Sequence, residues 1–250
     1  MDPMQLASRV TGAGPLTAVL VHGIMSDSRS WDQVAEDLVS HGFRVIAVDL
    51  AGHGESPRAR RYSPAAWAQD VVETIEPLLS GAPDLVMGHS LGGLVASIVA
   101  ERIAPRAVIY VDPAFDFPRG IRGALFKLSF ALMPPLQRRD LRRLNPKWSA
   151  RDVETEFSAQ QRWHRRTMLG LVDSKLFVPP TRSEVPSLVV LAERSLLVTR
   201  DAAFRMLRAG MRVVKVPGAG HTVWRDQPER FAAIVGRWLA SRLPAPAASA

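Results

Sequence analysis

The sequence contains no cysteine. Disulfide bonds, thiolate metal sites and a cysteine nucleophile are therefore excluded. The six histidines include neither an H-x-x-x-H nor an H-E-x-x-H spacing, so histidine-based metal sites of that kind are absent as well. We therefore expect no metal and no other cofactor.

Long apolar runs are also missing. No stretch of about 18 apolar residues is present, which predicts neither a membrane span nor stable membrane insertion. Residues 1–15 include Asp2 and lack an apolar core, which is not typical of a signal peptide. Together these absences favour a cytoplasmic protein.

The composition is close to the globular average, with 250 residues, 47% apolar and 22% charged. This length suits one large domain, or one core that carries an insertion. The net charge of +8 is uneven, because residues 115–182 hold 14 basic and 6 acidic side chains and the rest is neutral. A single basic segment without a recognition motif indicates an inserted unit, and no binding of nucleic acid is expected.

Short apolar runs alternate with amphipathic helical patterns along most of the chain. Strand-like runs lie at residues 16–21, 43–50, 84–88, 107–112, 187–192 and 212–217. Helical patterns separate them, including a mostly apolar one at 91–103 and a last one that contains Phe231 and Trp238. The alternation predicts an α/β fold, with a mostly parallel sheet and helices on both faces.

The alternation stops at Pro113 and resumes near Val185, with helical patterns and no convincing strand between them. We predict a core in two parts, residues 1–114 and 185–243, with a helical cap inserted at 115–184. The insertion carries 8 of the 17 aromatic residues, so we expect it to cover an apolar ligand site. Residues 244–250 are predicted to form a disordered tail.

The motif with the clearest chemistry is Gly-His-Ser-Leu-Gly at residues 88–92, which matches G-x-S-x-G. An apolar strand leads into it and an apolar helix leaves it. A sharp turn at this point would expose the hydroxyl of Ser90 at a helix N-terminus, where negative charge is favoured. The placement therefore predicts a nucleophilic serine, and the alternative is a glycine-rich turn with a capping serine.

With this motif the chain resembles the α/β-hydrolase superfamily, in its capped lipase, esterase and C–C hydrolase-like branch. The resemblance extends over most of residues 16–242 and includes Val-His-Gly at 21–23, Asp-Leu-Ala-Gly-His-Gly at 49–54 and Gly-Ala-Gly-His at 218–221. It implies an eight-stranded, mostly parallel sheet. The N-terminus here is too short for all eight strands, so the first one or two are expected to be missing or rudimentary.

A neutral serine hydroxyl needs a base, and His221 is the best candidate because it lies in a glycine-rich loop after the last strand. It also matches the histidine motif of the family. The resemblance further implies an oxyanion hole formed by the backbone N–H groups of Leu91 and Ile24, with Met25 as the alternative to Ile24. His22 is expected to order this loop.

The triad acid is where the sequence departs from the family pattern. The family usually has an aspartate shortly after the penultimate strand, where this chain has Ser195 or Leu196. Asp112 ends the strand after the nucleophile helix, and Glu193 ends the usual acid-bearing strand one or two residues early. We favour Asp112, keep Glu193 as the alternative, and leave Asp116, another residue or no acid as further options.

The remaining residues concern the substrate. Met25, His89 and Trp163 are predicted to line the substrate site, although His89 is also explained by packing within its motif. The basic cap is explained by a solvated face, or by attraction of an anionic substrate or an anionic membrane surface.

The sequence thus predicts a serine hydrolase that cleaves an ester or related acyl bond of a small hydrophobic molecule. The alternative is a non-hydrolytic member of the fold, either a ligand-binding module or a cofactor-free oxygenase or lyase. Members with an aspartate nucleophile are disfavoured, because position 90 is serine.

Overall fold

The computed structural model describes residues 4–116, 134, 136–171, 179–180 and 184–243. Within this part of the chain, seven strands form one sheet in the order β1-β3-β2-β4-β5-β6-β7. The strands are β1 (Ser8–Thr11), β2 (Leu16–Val21), β3 (Phe43–Val48), β4 (Leu85–His89), β5 (Val108–Val111), β6 (Ser187–Ala192) and β7 (Arg212–Val216). The edge strand β1 pairs antiparallel with β3, and the other pairings are parallel.

The central strands are apolar throughout because helices cover both faces of the sheet. Alternate residues of β2 show this most clearly. Val19 and Val21 belong to one buried cluster, whereas Ala18 and Leu20 belong to another on the opposite face. Two separate hydrophobic layers therefore hold the sheet in place.

The helices follow the strands in the predicted alternation. They are α1 (Asp32–Ser40), α2 (Pro64–Ile75), α3 (Leu91–Ile103), α4 (Arg138–Leu144), α5 (Ala150–Gln161), α6 (Arg200–Arg208), α7 (Val223–Asp226) and α8 (Pro228–Ala240). Short 3₁₀ helices occupy Ser28–Trp31, Glu76–Leu78 and Arg165–Leu171. Helices α2, α3 and α6 cover one face, and α1 and α8 cover the other.

The predicted fold class is confirmed, and the predicted strand ends differ from the observed ones by at most two residues. The prediction of a rudimentary N-terminal strand corresponds to β1, whose four residues are all exposed. An exposed edge strand carries no apolar pattern, which is why periodicity did not reveal it.

The parallel strands bring their carboxyl ends to one rim of the sheet. The loops that leave β2, β4, β5, β6 and β7 all begin there, and they carry His22, Ser90, Asp112, Glu193 and His221, respectively. Residues far apart in sequence therefore meet at this rim.

Helices α4 and α5 and the 3₁₀ helix Arg165–Leu171 lie within the predicted cap. The cap limits at 115 and 184 and the disordered tail stay predictions, since part of the insertion and all of residues 244–250 lie outside the described residues. Among the residues described, no helix combines the length and the apolar character needed to cross a membrane.

The tight approach of β4 to α3 yields a stability prediction. A Cβ atom added at Gly88 would lie 2.1 Å from the carbonyl oxygen of Gly92, and backbone cannot easily move away. We expect Gly88→Ala to lower the free energy of unfolding by about 3 kcal/mol, measured by urea denaturation.

Gly236→Ala is the matched control, because Gly236 lies inside α8 and an added Cβ meets nothing within 4 Å. It should raise the free energy of unfolding by about 0.5–1 kcal/mol. Similar effects of the two substitutions would contradict the close approach.

Candidate functional site

Ser90 lies at the turn between β4 and α3, where the backbone is strained. Its φ of 54° and ψ of −119° fall outside the range that a residue with a side chain readily adopts. The turn is held by hydrogen bonds from Ser90 N–H to the carbonyl of Val111 (3.0 Å) and from the Ala114 N–H to the Ser90 carbonyl (2.9 Å). Strain maintained by surrounding contacts is typical of functional positions.

Positive φ values point to the same region. In the described part of the chain, four non-glycine residues have positive φ: Met25, Ser90, Ala104 and Asp112. Three of them are among the site residues predicted from the sequence. Met25 follows β2, Ser90 follows β4 and Asp112 follows β5, so all three lie at the same rim of the sheet.

The structure brings His221 and Asp112 together. His221 Nδ1 lies 2.7 Å from Asp112 Oδ2, although 109 positions separate the two residues. The Asp112 side chain is 1% exposed, and its other oxygen accepts a hydrogen bond from the Ala192 N–H (3.2 Å). The His221 side chain is 45% exposed, so its remaining ring nitrogen is accessible from the rim.

Glu193, the alternative acid, makes a different contact. Its Oε2 accepts a hydrogen bond from the Gly218 N–H at 3.1 Å, so it supports the start of the loop that carries His221. Asp116 bonds with the Thr199 hydroxyl. Of the three carboxylates considered, Asp112 is therefore the one placed on the His221 ring.

His89 lies beneath His221. Its Nε2 donates to the His221 carbonyl oxygen at 3.0 Å, and its ring packs against those of Trp31 and Trp224. Burial, followed by the influence of His221, lowers the pKa of His89 well below its usual value, so the ring is neutral near pH 7. The His89 ring therefore connects the turn at Ser90 to the backbone of His221. A contact between His89 and the substrate stays a prediction.

The loop after β2 is ordered by His22, as expected. The Leu50 N–H donates to His22 Nε2 (2.9 Å), so Nδ1 carries the proton and donates to the Gly23 carbonyl (2.7 Å). A Cβ atom on Gly23 would lie 3.0 Å from the Ser90 Cβ, which shows how closely the loop passes the serine. Ile24 is half-buried and Met25 is buried at this point.

Asp27 continues this loop and is buried beneath the predicted cap. Its carboxylate accepts hydrogen bonds from Arg29 Nη2 (2.7 Å) and from Arg162 Nη2 (2.5 Å). Arg162 is the residue directly after α5. The 3₁₀ helix Ser28–Trp31 is capped by the same carboxylate through the Arg29 N–H. Arg162 therefore joins the insertion to the loop that passes Ser90.

A second connection reaches the His221 loop. Asp226 Oδ2 accepts a hydrogen bond from the Gly220 N–H (2.7 Å), and its Oδ1 accepts one from Trp148 Nε1 (3.1 Å). The guanidinium of Arg225 is buried on the Trp148 ring and donates to Glu156 Oε2 at 2.8 Å. Burial raises the pKa of the Asp226 carboxyl above its usual value.

Sequence reasoning assigned no functional role to Asp27, Trp148, Arg162, Arg225 or Asp226. Their partners lie 69 to 135 positions away, and no local motif marks such contacts. The sequence gives only an indirect indication of these contacts, because charged and aromatic residues of the insertion need partners when they are buried.

The last predicted substrate residue, Trp163, is half-buried and packs against the apolar cluster that also contacts Ile24. Its indole N–H donates to Thr167 Oγ1 at 2.6 Å. His164, which follows Trp163, bonds with the Tyr62 hydroxyl at 2.9 Å. Among the described residues, no group of three or more metal-binding side chains is found.

The chain is similar in sequence to known proteins. A profile of the alpha/beta hydrolase family matches residues 18–234. The sn-1-specific diacylglycerol lipase ABHD11 of Mus musculus is 26% identical over 89% of this chain and 80% of its own length. A pimeloyl-[acyl-carrier protein] methyl ester esterase of Sodalis glossinidius is 38% identical, over 44% of this chain and 40% of its own length.

Solved structures show the same architecture. A thermophilic esterase from Thermogutta terrifontis superposes with a TM-score of 0.74 at 25% identity, covering 96% of this chain and 94% of its own. An esterase from Exiguobacterium antarcticum reaches a TM-score of 0.80 at 18% identity, covering 95% of this chain and 96% of its own, and shows the fold alone.

The family profile spans well over half of the chain, and the sequence resemblance is confirmed by it. The relatives are esterases and lipases, which confirms the predicted class, a carboxylic ester hydrolase. The chain belongs to the alpha/beta hydrolase family.

Proposed function

We propose that this carboxylic ester hydrolase works through a triad of Ser90, His221 and Asp112. The contact of 2.7 Å between His221 Nδ1 and the buried Asp112 carboxylate is the observation that carries the proposal. A buried carboxylate on one ring nitrogen holds the proton there and leaves Nε2 free to act as the base.

The reaction then proceeds in two steps. Ser90 Oγ attacks the ester carbonyl carbon while its proton passes to His221 Nε2, and a tetrahedral oxyanion forms. The oxyanion collapses, the alcohol leaves with the proton from His221, and an acyl group remains on Ser90. A water molecule, deprotonated by His221, releases the acid and restores the serine.

The oxyanion needs preorganised donors. The backbone N–H of Leu91 is the first in α3, where the helix dipole favours negative charge. The second donor is the Ile24 N–H, with Met25 as the alternative, because this loop passes next to Ser90. Each such donor is worth roughly 10²–10³ in rate.

The insertion acts as a cap over a hydrophobic substrate in this proposal. Trp163 packs against the same apolar cluster as Ile24, which supports an apolar acyl site bordered by Met25 and Trp163. Several basic residues of the insertion are neutralised, since Arg138 pairs with Glu154 and Arg151 with Asp32 and Glu36. These pairs favour a structural use of that charge over attraction of an anionic substrate.

The non-hydrolytic alternative was motivated by the absence of an acid at the usual family position. The contact of Asp112 with His221 supplies a candidate acid at another position, and it therefore favours the hydrolytic mechanism. Cytoplasmic location stays a prediction.

Replacing the nucleophile tests the mechanism. Ser90→Ala should lower kcat on a p-nitrophenyl ester by at least about 10³-fold and abolish labelling by a fluorophosphonate probe. Ser97→Ala is the control, because Ser97 is another buried serine on α3, and its hydroxyl donates to the Leu94 carbonyl within the same helix. Unchanged turnover in Ser90→Ala would refute the proposal.

The two acids are separated by isosteric substitutions. Asp112→Asn should lower kcat by about 10⁴-fold, since an amide no longer holds His221 in the productive tautomer. Glu193→Gln should change kcat by less than about tenfold, because its contact is to the backbone of Gly218. The opposite ranking in steady-state kinetics would make Glu193 the triad acid.

The link between cap and oxyanion loop is tested at Arg162. Arg162→Gln should lower kcat by about tenfold, because the loop that carries Ile24 loses a support at Asp27. Arg162→Lys should restore part of the rate, as it keeps the charge.

Arg138→Gln is the control, since it removes an exposed ion pair with Glu154. Equal effects of Arg138→Gln and Arg162→Gln on kcat, measured well below the unfolding temperature, would exclude this positioning role.

A further inference from the structure

The stretch from residue 194 to 208 exposes an unusual amount of apolar surface. Leu196, Phe204 and Leu207 are 82%, 64% and 48% exposed. In the described part of the chain, six large apolar side chains are exposed, and these three lie within 12 positions of one another. Single exposed apolar residues need no explanation, but a group of three does.

Helix α6 presents this surface outward on a fixed support. Its inner side is formed by Ala202 and Met206, both fully buried. Thr199 caps the helix by accepting a hydrogen bond from the Ala202 N–H at 3.2 Å. The outer side is therefore held rigidly toward solvent.

Arginines surround the apolar side chains. Four side chains of α6 share one helical stripe, because their spacing is i, i+4, i+7 and i+8. They are Arg200, Phe204, Leu207 and Arg208. Arg194 and Arg205 are also exposed, and Asp201 is the one acidic residue between positions 194 and 208. No described residue forms an ion pair with any of these four arginines.

The loop that leads into this stripe lies beside the proposed catalytic rim, and α6 runs from there toward the start of β7. The preceding loop begins where β6 ends, and there the Ala192 N–H bonds to Asp112 and the Glu193 N–H to the Ala219 carbonyl. The Leu197 carbonyl accepts a hydrogen bond from the Asp116 N–H at 2.9 Å. Leu196 is thus the neighbour of a residue that bonds to Asp116, and Asp116 follows the proposed triad acid by four positions.

We propose that α6 and the loop before it, residues 194–208, form a docking surface for an anionic phospholipid bilayer. Exposed Phe and Leu flanked by arginines are typical of helices that lie in the interface between headgroups and acyl chains. The guanidinium groups of these arginines complement lipid phosphates, and Phe204, Leu207 and Leu196 enter the apolar boundary.

The consequence for catalysis rests on the proposed function. In a protein docked by this surface, the loop before α6, which begins next to Asp112, lies at the bilayer, where hydrophobic esters are concentrated. The substrate class that follows is an ester held in a membrane, and the binding itself is independent of the triad.

Vesicle sedimentation tests the docking surface. The full chain is mixed with vesicles of phosphatidylcholine alone and with vesicles containing about one third phosphatidylglycerol. We expect binding to the anionic vesicles that weakens with added salt, and much weaker binding to the neutral ones.

Two matched triple variants locate the surface. The triple variant Phe204→Ser, Arg205→Gln and Arg208→Gln should lower the vesicle partition coefficient by at least about 30-fold. The two arginines account for this factor, because each contributes about 1 kcal/mol to the binding free energy. The control combines Arg142→Gln, Arg143→Gln and Leu144→Ser on α4, where the three side chains are also exposed. It removes the same charge and a similar apolar group, and it should change binding less than threefold.

Ser90→Ala should bind vesicles like the unaltered chain, so failure of the proposed chemistry and failure of docking give different results. The inference is overturned if the unaltered chain does not bind anionic vesicles, or if both triples lose binding equally. It is also overturned if Phe204→Ser, Arg205→Gln and Arg208→Gln together dissolve a dimer seen by sedimentation velocity, because the surface would then belong to a second copy.

Discussion

The hydrogen bond between a buried Asp112 carboxylate and His221 is the interaction on which the proposed chemistry depends. Asp112 has a positive φ and is almost fully buried, and both of its carboxylate oxygens are hydrogen-bonded. A carboxylate buried in this way is costly unless its partners are in place. The end of β6 and the loop after β7 supply those partners through Ala192 and His221.

The nucleophile depends on a different constraint, which is close packing. Gly88 and Gly92 allow the backbones of β4 and α3 to come nearly into contact, and Ser90 is held in its strained conformation between them. His89 then joins this turn to the His221 loop through a neutral ring. Strain and packing thus fix the turn at Ser90 and connect it to the loop that carries His221.

The insertion uses part of its basic charge in structural contacts. Arg138, Arg151 and Arg162 are engaged by carboxylates on the insertion or on the core, and attraction of an anionic substrate stays a prediction. Arg162 on Asp27 and Trp148 on Asp226 connect the insertion to both loops of the proposed site. The arginines left without such partners include those of residues 194–208, outside the predicted cap.

The sequence by itself determined the α/β alternation and the turn around Ser90, and it predicted His221 as the base, because each depends on local periodicity or a short motif. It could not choose between Asp112 and Glu193, since both follow a strand at the same rim and differ only in what their side chains reach. In the tertiary structure Asp112 contacts the His221 ring and Glu193 contacts the Gly218 backbone, a difference set by strand order and by the path of the loop after β7. The contacts of Arg162 and Asp226 were likewise decided there, because buried charges find partners by distance in space and not by distance along the chain.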